Sequence, residues 1–306
     1  MRPEVHRDFE KKFHAIDVGE FSMNQIGVHA AVWAGGWSDA ESRHAIAESK
    51  AAGYDYIEIM AFNPSAIDVR ATRALLAEAG LGVTSSLGLK WDNDISSDDP
   101  AVVARGESLL ADVIDVNAAL GSKYVVGVIY SALGKYAQPA TPRGRANCVA
   151  ALQRLAHRAA AHGITLGLEV VNRYETNLFN TAGEALAVVR EIGEPNLGVH
   201  LDTYHMNIEE DDFDEPVRLC GDKLVYVHIG ESHRGYLGSG NVDFSTFFRA
   251  LGECKYSGPI AFESFSSAVV SPELSNTLGV WRNLWSDNRD LARHAKAFID
   301  RLLTPS

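Results

Sequence analysis

"GITLGLEVVNRYETN", residues 163–177, begins with an apolar run, Ile164–Leu168, that ends in the acid Glu169. Runs that are apolar throughout, rather than alternating, are typical of strands buried on both faces, as in parallel sheets. An unpaired carboxylate in such surroundings is costly, so Glu169 must serve solubility, a salt bridge or a site. Arg173 and Glu175 follow within a few residues. The stretch therefore predicts a buried parallel strand that carries a polar group at its end.

Seven similar runs alternate with amphipathic helical stretches along the chain. They are IGVHAAVW (26–33), YDYIEIMA (54–61), GVTSSLGL (82–89), KYVVGVIY (123–130), LGVHLD (197–202), LVYVHIG (224–230) and PIAFES (259–264). Eight strand–helix units at this length predict an α/β fold, a single-domain (β/α)₈ TIM barrel over residues 26–306. An open doubly wound sheet is the alternative, but no GxGxxG opens the first unit. We assign residues 1–25 to an N-terminal extension.

Composition excludes several classes of partner. The net charge of −12 opposes binding to nucleic acid or to an anionic membrane surface, because both require basic residues. No run approaches the roughly 18 apolar residues of a membrane span. Three widely separated cysteines without a CxxC pair favour reduced thiols and predict a cytoplasmic protein.

Polar residues end four consecutive predicted strands: Glu169, Asp202, His228 and Glu263. In a barrel of this kind, the carboxyl ends of the strands meet at one mouth, where the chemistry takes place. Three carboxylates and one imidazole cannot neutralise one another, whereas a divalent cation can offset the negative charge of the carboxylates. Carboxylate and imidazole ligands suit Mn²⁺, Mg²⁺, Co²⁺ or Zn²⁺. The sequence therefore predicts a metal site at the mouth of the barrel.

Other polar residues of the strands and loops have simpler interpretations. We expect His200 to be a packing residue whose side chain points away from Asp202. Asp55 and Glu58 are more typical of structural salt bridges than of a site. Arg173 is expected to pair with a neighbouring acid.

Four segments together carry a resemblance to a known family: LEVVNRYETN (168–177), HLDTYHMNIEE (200–210), HIGESHRGYLGSG (228–240) and FESF (262–265). The chain resembles the ketose 3-epimerases, which comprise D-tagatose, D-allulose (D-psicose) and L-ribulose 3-epimerases, in particular those of the Arthrobacter D-allulose type. This family lies within the xylose isomerase-like barrel superfamily. The likeness extends from about residue 25 to the C-terminus.

The resemblance implies a role for each matched residue. Glu169, Asp202, His228 and Glu263 would bind one divalent metal per subunit, Mn²⁺ first, with Co²⁺ or Mg²⁺ as alternatives. Glu169 and Glu263 would also be the catalytic acid/base pair, one on each face of the substrate. The implied substrate-binding residues are Glu175, His205, Arg234, Trp37, Phe265 and His29. His29 stands where several relatives carry an aromatic residue. The family also implies a homodimer or homotetramer.

The chemistry of 3-epimerisation explains why such residues are needed. The reaction removes a proton beside the C2 carbonyl of a ketose and returns one to the opposite face. A carboxylate with a pKa of about 4.3 is a weak base for this step, and positioned general bases contribute roughly 10²–10⁴-fold. A metal would supply the larger share by stabilising the ene-diolate as a Lewis acid.

Alternative functions remain at this point. The nearest is an aldose–ketose isomerase of the same superfamily, which needs no second base on the opposite face. A metal-dependent phosphoesterase acting on DNA would require more histidine ligands and a basic surface. A non-catalytic sugar-binding barrel would not need the acid/base pair. On the strength of the resemblance, we expect a metal-dependent 3-epimerase of free, unphosphorylated ketoses.

Overall fold

The computed structural model describes residues 24–304, in which eight parallel strands close into one barrel. Each strand pairs with its neighbour in the sequence, and the last strand pairs with the first. The strands are β1 (Ile26–His29), β2 (Tyr56–Met60), β3 (Gly82–Leu89), β4 (Tyr124–Ala132), β5 (Thr165–Glu169), β6 (Leu197–Asp202), β7 (Leu224–Ile229) and β8 (Ile260–Phe262). This arrangement confirms the predicted (β/α)₈ barrel.

Helices connect the strands and surround the barrel. They are α1 (Asp39–Ala51), α2 (Val69–Ala79), α3 (Pro100–Leu120), α4 (Pro142–Ala160), α5 (Ala182–Ile192), α6 (Thr203–Glu209), α7 (Glu215–Cys220), α8 (Phe244–Glu253), α9 (Pro272–Thr277) and α10 (Asn288–Leu303). Short 3₁₀ turns occupy Ala30–Val32, Pro64–Ala66 and Gly221–Lys223. Gly80, predicted to end α2, adopts the left-handed conformation of a helix C-cap, with φ of 62°.

The first strand is shorter than its sequence suggested. The apolar run from residue 26 to 33 remains extended only to His29, after which Ala30–Val32 form a 3₁₀ turn. The ring Nδ1 of His29 accepts a hydrogen bond from the backbone N–H of Ala31 at 3.2 Å and so caps this turn. Because the turn is as buried as the strand, apolarity alone could not separate the two.

The barrel interior is filled in layers. Tyr56 and Tyr226 pack edge to face at its base, with ring centroids 6.4 Å apart. Gly27 leaves room for this arrangement, since a Cβ at that position would overlap the ring of Tyr56. Polar side chains begin one layer higher, where the hydroxyl of Tyr226 donates to Glu58. The apolar base thus separates the polar mouth of the barrel from its opposite end.

Most of the predicted N-terminal extension, residues 1–23, lies outside the described residues. Its last two residues are bound to the barrel: Asn24 Nδ2 donates to the carbonyls of Tyr256 and Gly258, and the carbonyl of Gln25 accepts from Ile260. Across residues 24–304, none of the helices combines the length and apolarity needed to cross a bilayer. The three cysteines are free thiols.

Candidate active site

The four strand-end residues meet at one point in the barrel mouth. Glu169 is the last residue of β5, Asp202 the last of β6, His228 lies near the end of β7, and Glu263 directly follows β8. One ligand atom from each lies within 4.8 Å of those of the other three, and all four side chains are buried. The local cause is register, because parallel neighbours place equivalent strand ends at the same height, as in the pairing of Asp202 with His228.

The imidazole of His228 presents one nitrogen to this cluster. Its Nε2 lies 2.9 Å from both oxygens of Glu58, so Nε2 carries the hydrogen. Its Nδ1 is buried and has no hydrogen-bond partner within residues 24–304. Nδ1 lies 3.4 Å from Oε1 of Glu169 and 3.5 Å from Oε1 of Glu263. Nδ1 therefore faces the carboxylates, and its lone pair is available to a metal when Nδ1 carries no hydrogen.

These residues fit a divalent cation. An ion bound at about 2.0–2.2 Å holds opposite ligand atoms about 4 Å apart, close to the separations seen between the four side chains. The unpartnered Nδ1 of His228 is the kind of buried polar atom that a metal satisfies. Three carboxylates and one imidazole form a donor set suited to hard or borderline divalent ions.

The two glutamates of the cluster have different proton affinities. Burial raises the pKa of Glu169 to about 8, although the neighbouring imidazole of His228 opposes this rise. Burial also acts on Glu263, but the charges of His228 and Arg234 outweigh it and hold the pKa of Glu263 below its usual value. Environments that separate the pKa values of two neighbouring carboxyls are typical of acid/base pairs.

His205, on α6, faces the same cluster as a neutral donor. Its Nδ1 accepts the backbone N–H of Asn172 at 3.1 Å, which leaves the hydrogen on Nε2. Nε2 lies 3.7 Å from Oδ2 of Asp202 and 4.0 Å from Oε2 of Glu175. Burial, supported by the charge of Arg234, holds the pKa of His205 well below its usual value. The ring is therefore uncharged and offers one N–H to the cavity.

Arg234, in the loop after β7, bridges two carboxylates of the cluster. Its Nη1 donates to Oδ2 of Asp202 at 2.9 Å and to Oε2 of Glu263 at 2.6 Å. The guanidinium lies 3.9 Å from the ring centre of Tyr204. Its backbone has a positive φ of 61°, and Ser264 Oγ donates to its carbonyl at 2.5 Å. The loop thus holds the guanidinium group of Arg234 over the cluster.

The cluster opens into a cavity whose lining is partly polar and partly apolar. The polar groups come from Glu169, Glu175, His205, Arg234 and Glu263. The apolar lining includes Met60, Phe62, Leu133, Phe265, Leu274 and Leu278. Leu274 belongs to α9 and Leu278 directly follows it, so the short helix after β8 forms part of the cavity wall. A molecule bound here would meet both charged and apolar side chains.

The remaining predicted substrate-binding residues divide into two groups. Phe265 and His29 line the main cavity, with ring centroids 5.4 Å apart, and Nε2 of His29 lies 3.1 Å from Ser86 Oγ. Trp37 does not line this cavity. Its Nε1 donates to Thr72 Oγ1 at 3.1 Å, and the ring borders a neighbouring cavity. The structure thus brings together all the predicted site residues except Trp37.

One interpretation from the sequence needs correction, and a second is confirmed at a place that was not expected. His200 does not point away from Asp202: residues two apart on a strand share a face, and its ring centre lies 4.2 Å from that of His228 inside the barrel. Glu58 does form an ion pair, as expected, but with His228 at the base of the cluster. Its position within the apolar run YDYIEIMA was the available signal, the same one that identified the other four residues.

The other polar residues behave as predicted or were missed. Arg173 pairs with Glu209 near the surface, Nη2 to Oε2 at 2.6 Å. Asp55 has a structural role, but through a hydrogen bond and not the expected salt bridge: it accepts the backbone N–H of Ile26 at 2.8 Å. Asn172 was missed: its Nδ2 donates to Glu175 Oε1 at 3.0 Å and so orients that carboxylate.

The closed barrel, with a buried acidic cluster at the carboxyl ends of its strands, has the architecture of a (β/α)₈ enzyme with a candidate metal site. Residues 46–302 match the family described as xylose isomerase-like TIM barrel. The chain belongs to this family.

Its relatives are carbohydrate epimerases. An L-ribulose 3-epimerase of Methylomonas sp. is 58% identical over 275 residues, which span 90% of this chain and 96% of that protein. A ketose 3-epimerase of Arthrobacter globiformis is 54% identical over 280 residues, 92% of this chain and 97% of that protein. A crystal structure of the Methylomonas D-allulose 3-epimerase in complex with D-allulose superposes with a TM-score of 0.90 at 57% identity, covering 92% and 97% of the two chains. These findings confirm the resemblance found in the sequence.

Proposed function

We propose that this protein is a metal-dependent ketose 3-epimerase. The observation that carries the proposal is the placement of Glu169 and Glu263, two buried carboxyls that flank Nδ1 of His228 at 3.4 and 3.5 Å and have different proton affinities. An acid/base pair of this kind is what inversion at a carbon beside a carbonyl requires. The names of the relatives support the same reaction.

Glu169, Asp202, His228 and Glu263 would hold one divalent ion per subunit, for which we propose Mn²⁺, with Co²⁺ or Mg²⁺ as alternatives. When bound, the ion supplies Lewis acidity that stabilises negative charge on the substrate oxygens. Carboxylate-rich sites accept several divalent ions, so the ligands alone do not select among these three.

The protein's own groups have separate tasks in this reaction. One of Glu169 and Glu263 would remove the proton at C3 while the other, protonated, returns one to the opposite face. The N–H of His205 Nε2 and the guanidinium of Arg234 would donate to oxygens on which negative charge develops. Glu175, oriented by Asn172, would accept a hydrogen bond from a substrate hydroxyl.

We propose free ketoses as substrates, including the pairs D-fructose/D-allulose, L-ribulose/L-xylulose and D-tagatose/D-sorbose. Two observations support unphosphorylated sugars. The guanidinium of Arg234, which lines the cavity, already donates to Asp202 and Glu263, and much of the remaining lining is apolar. A homodimer or homotetramer and a cytoplasmic location stay predictions. Nucleic acid and membranes are not expected partners, given the net charge of −12.

A product analysis tests the proposal. The protein is treated with a chelator, dialysed, resupplied with Mn²⁺, Co²⁺ or Mg²⁺, and incubated with a panel of ketoses. Separation of the products on a sugar column should show the C3 epimer, and only with metal present. An aldose product would indicate the isomerase instead. No epimer from any ketose with any of these metals would exclude the proposed function.

A further inference from the structure

We infer that Glu58 is a positioning residue for the metal site, which fixes His228 in the one tautomer and orientation that presents Nδ1 to the cation. The inference rests on the proposed function, because it requires His228 to be a metal ligand. Glu58 itself is not a ligand in this arrangement: both of its oxygens face the Nε2 side of the imidazole, away from the cluster.

The contacts of Glu58 are specific to this task. The side chain lies in the middle of β2, fully buried, and reaches across the barrel interior to β7. Both of its oxygens lie 2.9 Å from Nε2 of His228. Tyr226 donates its hydroxyl to Oε2 of Glu58 at 2.6 Å, and that hydroxyl lies 2.9 Å from Thr84 Oγ1. The carboxylate is therefore held from below and directed at one ring nitrogen.

A purely structural role does not account for a carboxylate at this place. Its ion-pair partners within residues 24–304 are imidazoles only, His228 at 2.9 Å and His29 at 3.8 Å. Replacing a buried ion pair by apolar residues of similar volume often gives equal or greater stability. The barrel interior just below consists of tyrosine and aliphatic side chains. Stability alone therefore does not explain why a carboxylate occupies this position.

A histidine that binds a metal must have a fixed tautomer and orientation, and Glu58 can provide both. A neutral imidazole carries its hydrogen on either nitrogen, and only the form with Nε2–H leaves the Nδ1 lone pair free. An acceptor opposite Nε2 selects this form, and its negative charge increases the basicity of the ligating nitrogen. The ring of His200, perpendicular to that of His228 at 4.2 Å, restricts rotation of the ring. Glu58 and His200 together fix where Nδ1 points.

The test measures Mn²⁺ affinity in the metal-free full-length protein by titration with detection of free Mn²⁺. Glu58→Gln keeps the shape of the side chain but removes its charge and lets an amide N–H face Nε2. We expect its dissociation constant for Mn²⁺ to rise 10–100-fold, the usual effect of losing such a partner. The melting temperature without metal is expected to fall, because Glu58 is one partner of a buried ion pair with His228. Affinity is therefore measured well below the melting temperature of both proteins.

Asp94→Asn is the matched control. Asp94 is also a buried carboxylate that accepts a tyrosine hydroxyl, from Tyr136 at 2.5 Å, but it contacts none of the four cluster residues. Its substitution should leave Mn²⁺ affinity unchanged. Nitrogen-15 NMR of histidine in the Mg²⁺-loaded wild-type protein provides a second readout that does not depend on any variant. It should show His228 protonated at Nε2 and not at Nδ1.

The possible outcomes test the role of Glu58 and the proposed function separately. Mn²⁺ binding by Glu58→Gln within twofold of wild type, or a hydrogen on Nδ1 of His228 in the Mg²⁺-loaded protein, would overturn the positioning role of Glu58. Failure of the wild-type protein to bind any of Mn²⁺, Co²⁺ and Mg²⁺ would instead remove the proposed function, and the inference with it. The two failures are distinguishable, because the second appears before any variant is compared.

Discussion

Oε1 of Glu169 lies 3.4 Å from Nδ1 of His228, at the point where β5 and β7 deliver their strand-end side chains to the barrel mouth. A carboxylate proposed to move a proton thus lies beside the nitrogen proposed to bind the metal. Metal binding and proton transfer therefore both involve Glu169, and a substitution of this residue is expected to affect both.

Substitution of the acid/base pair should abolish most turnover. We expect Glu169→Gln and Glu263→Gln each to lower kcat/KM by about 10²–10⁴-fold, the range that positioned proton transfer contributes. Steady-state kinetics on D-fructose, D-allulose and L-ribulose measure the effect. Glu191→Gln, which removes only an exposed partner of Arg145, is the control and should behave as wild type. Either site variant with more than a tenth of wild-type activity would contradict the assignment.

Glu175 should make stability depend on pH. Burial raises its pKa to about 7, against the opposing effects of Arg234 and of the hydrogen bond from Asn172. In the unfolded chain the pKa is about 4.3, so the folded protein binds the proton more tightly and loses stability as pH rises from about 4 through 7. The difference corresponds to at most about 4 kcal/mol in the metal-free protein.

Glu175→Gln should remove this loss of stability at high pH. Its melting temperature should match that of wild type near pH 4.5 and exceed it at pH 8, while epimerase activity falls because a substrate contact is lost. Thermal melts of the metal-free proteins across this range measure the difference. A gap between the two proteins that is the same at both pH values would show that titration of Glu175 is not its cause.

The three thiols should differ in reactivity. Burial raises the pKa of Cys220 to about 12 and that of Cys148 far above its usual value, whereas Cys254 is only partly buried. Since the thiolate is the reactive species, one thiol per chain should react rapidly with an aromatic disulfide reagent at pH 8, and three after unfolding. Cys254→Ser should abolish the rapid phase. A rapid phase that survives this substitution would contradict the burial of the other two thiols.

Much of the site could be predicted from the sequence because its residues obey local rules. Glu169 and Asp202 end apolar runs, and in a parallel barrel such ends must meet. The same rule identified His228 and Glu263 although they lie far apart along the chain.

What escaped prediction depends on contacts that no local pattern records. Leu274 and Leu278 reach the cavity from α9 and the residue after it, a short helix in the connection after β8 that the strand pattern does not reveal. The substrate role of Trp37 came from the resemblance alone and stays a prediction; its indole N–H donates to Thr72. Glu58 had the right signal, an acid inside an apolar run, but its partner His228 is 170 residues away.

Proton exchange at the reacting carbon tests the central claim most directly. The metal-loaded protein is incubated with D-fructose in D₂O, and the D-allulose formed is isolated and analysed by proton NMR. Two carboxyls that remove one proton and deliver another from solvent should place deuterium at C3 of the product and at no other carbon. Epimer carrying hydrogen at C3, or label at C1 with an aldose as product, would contradict the proposed mechanism.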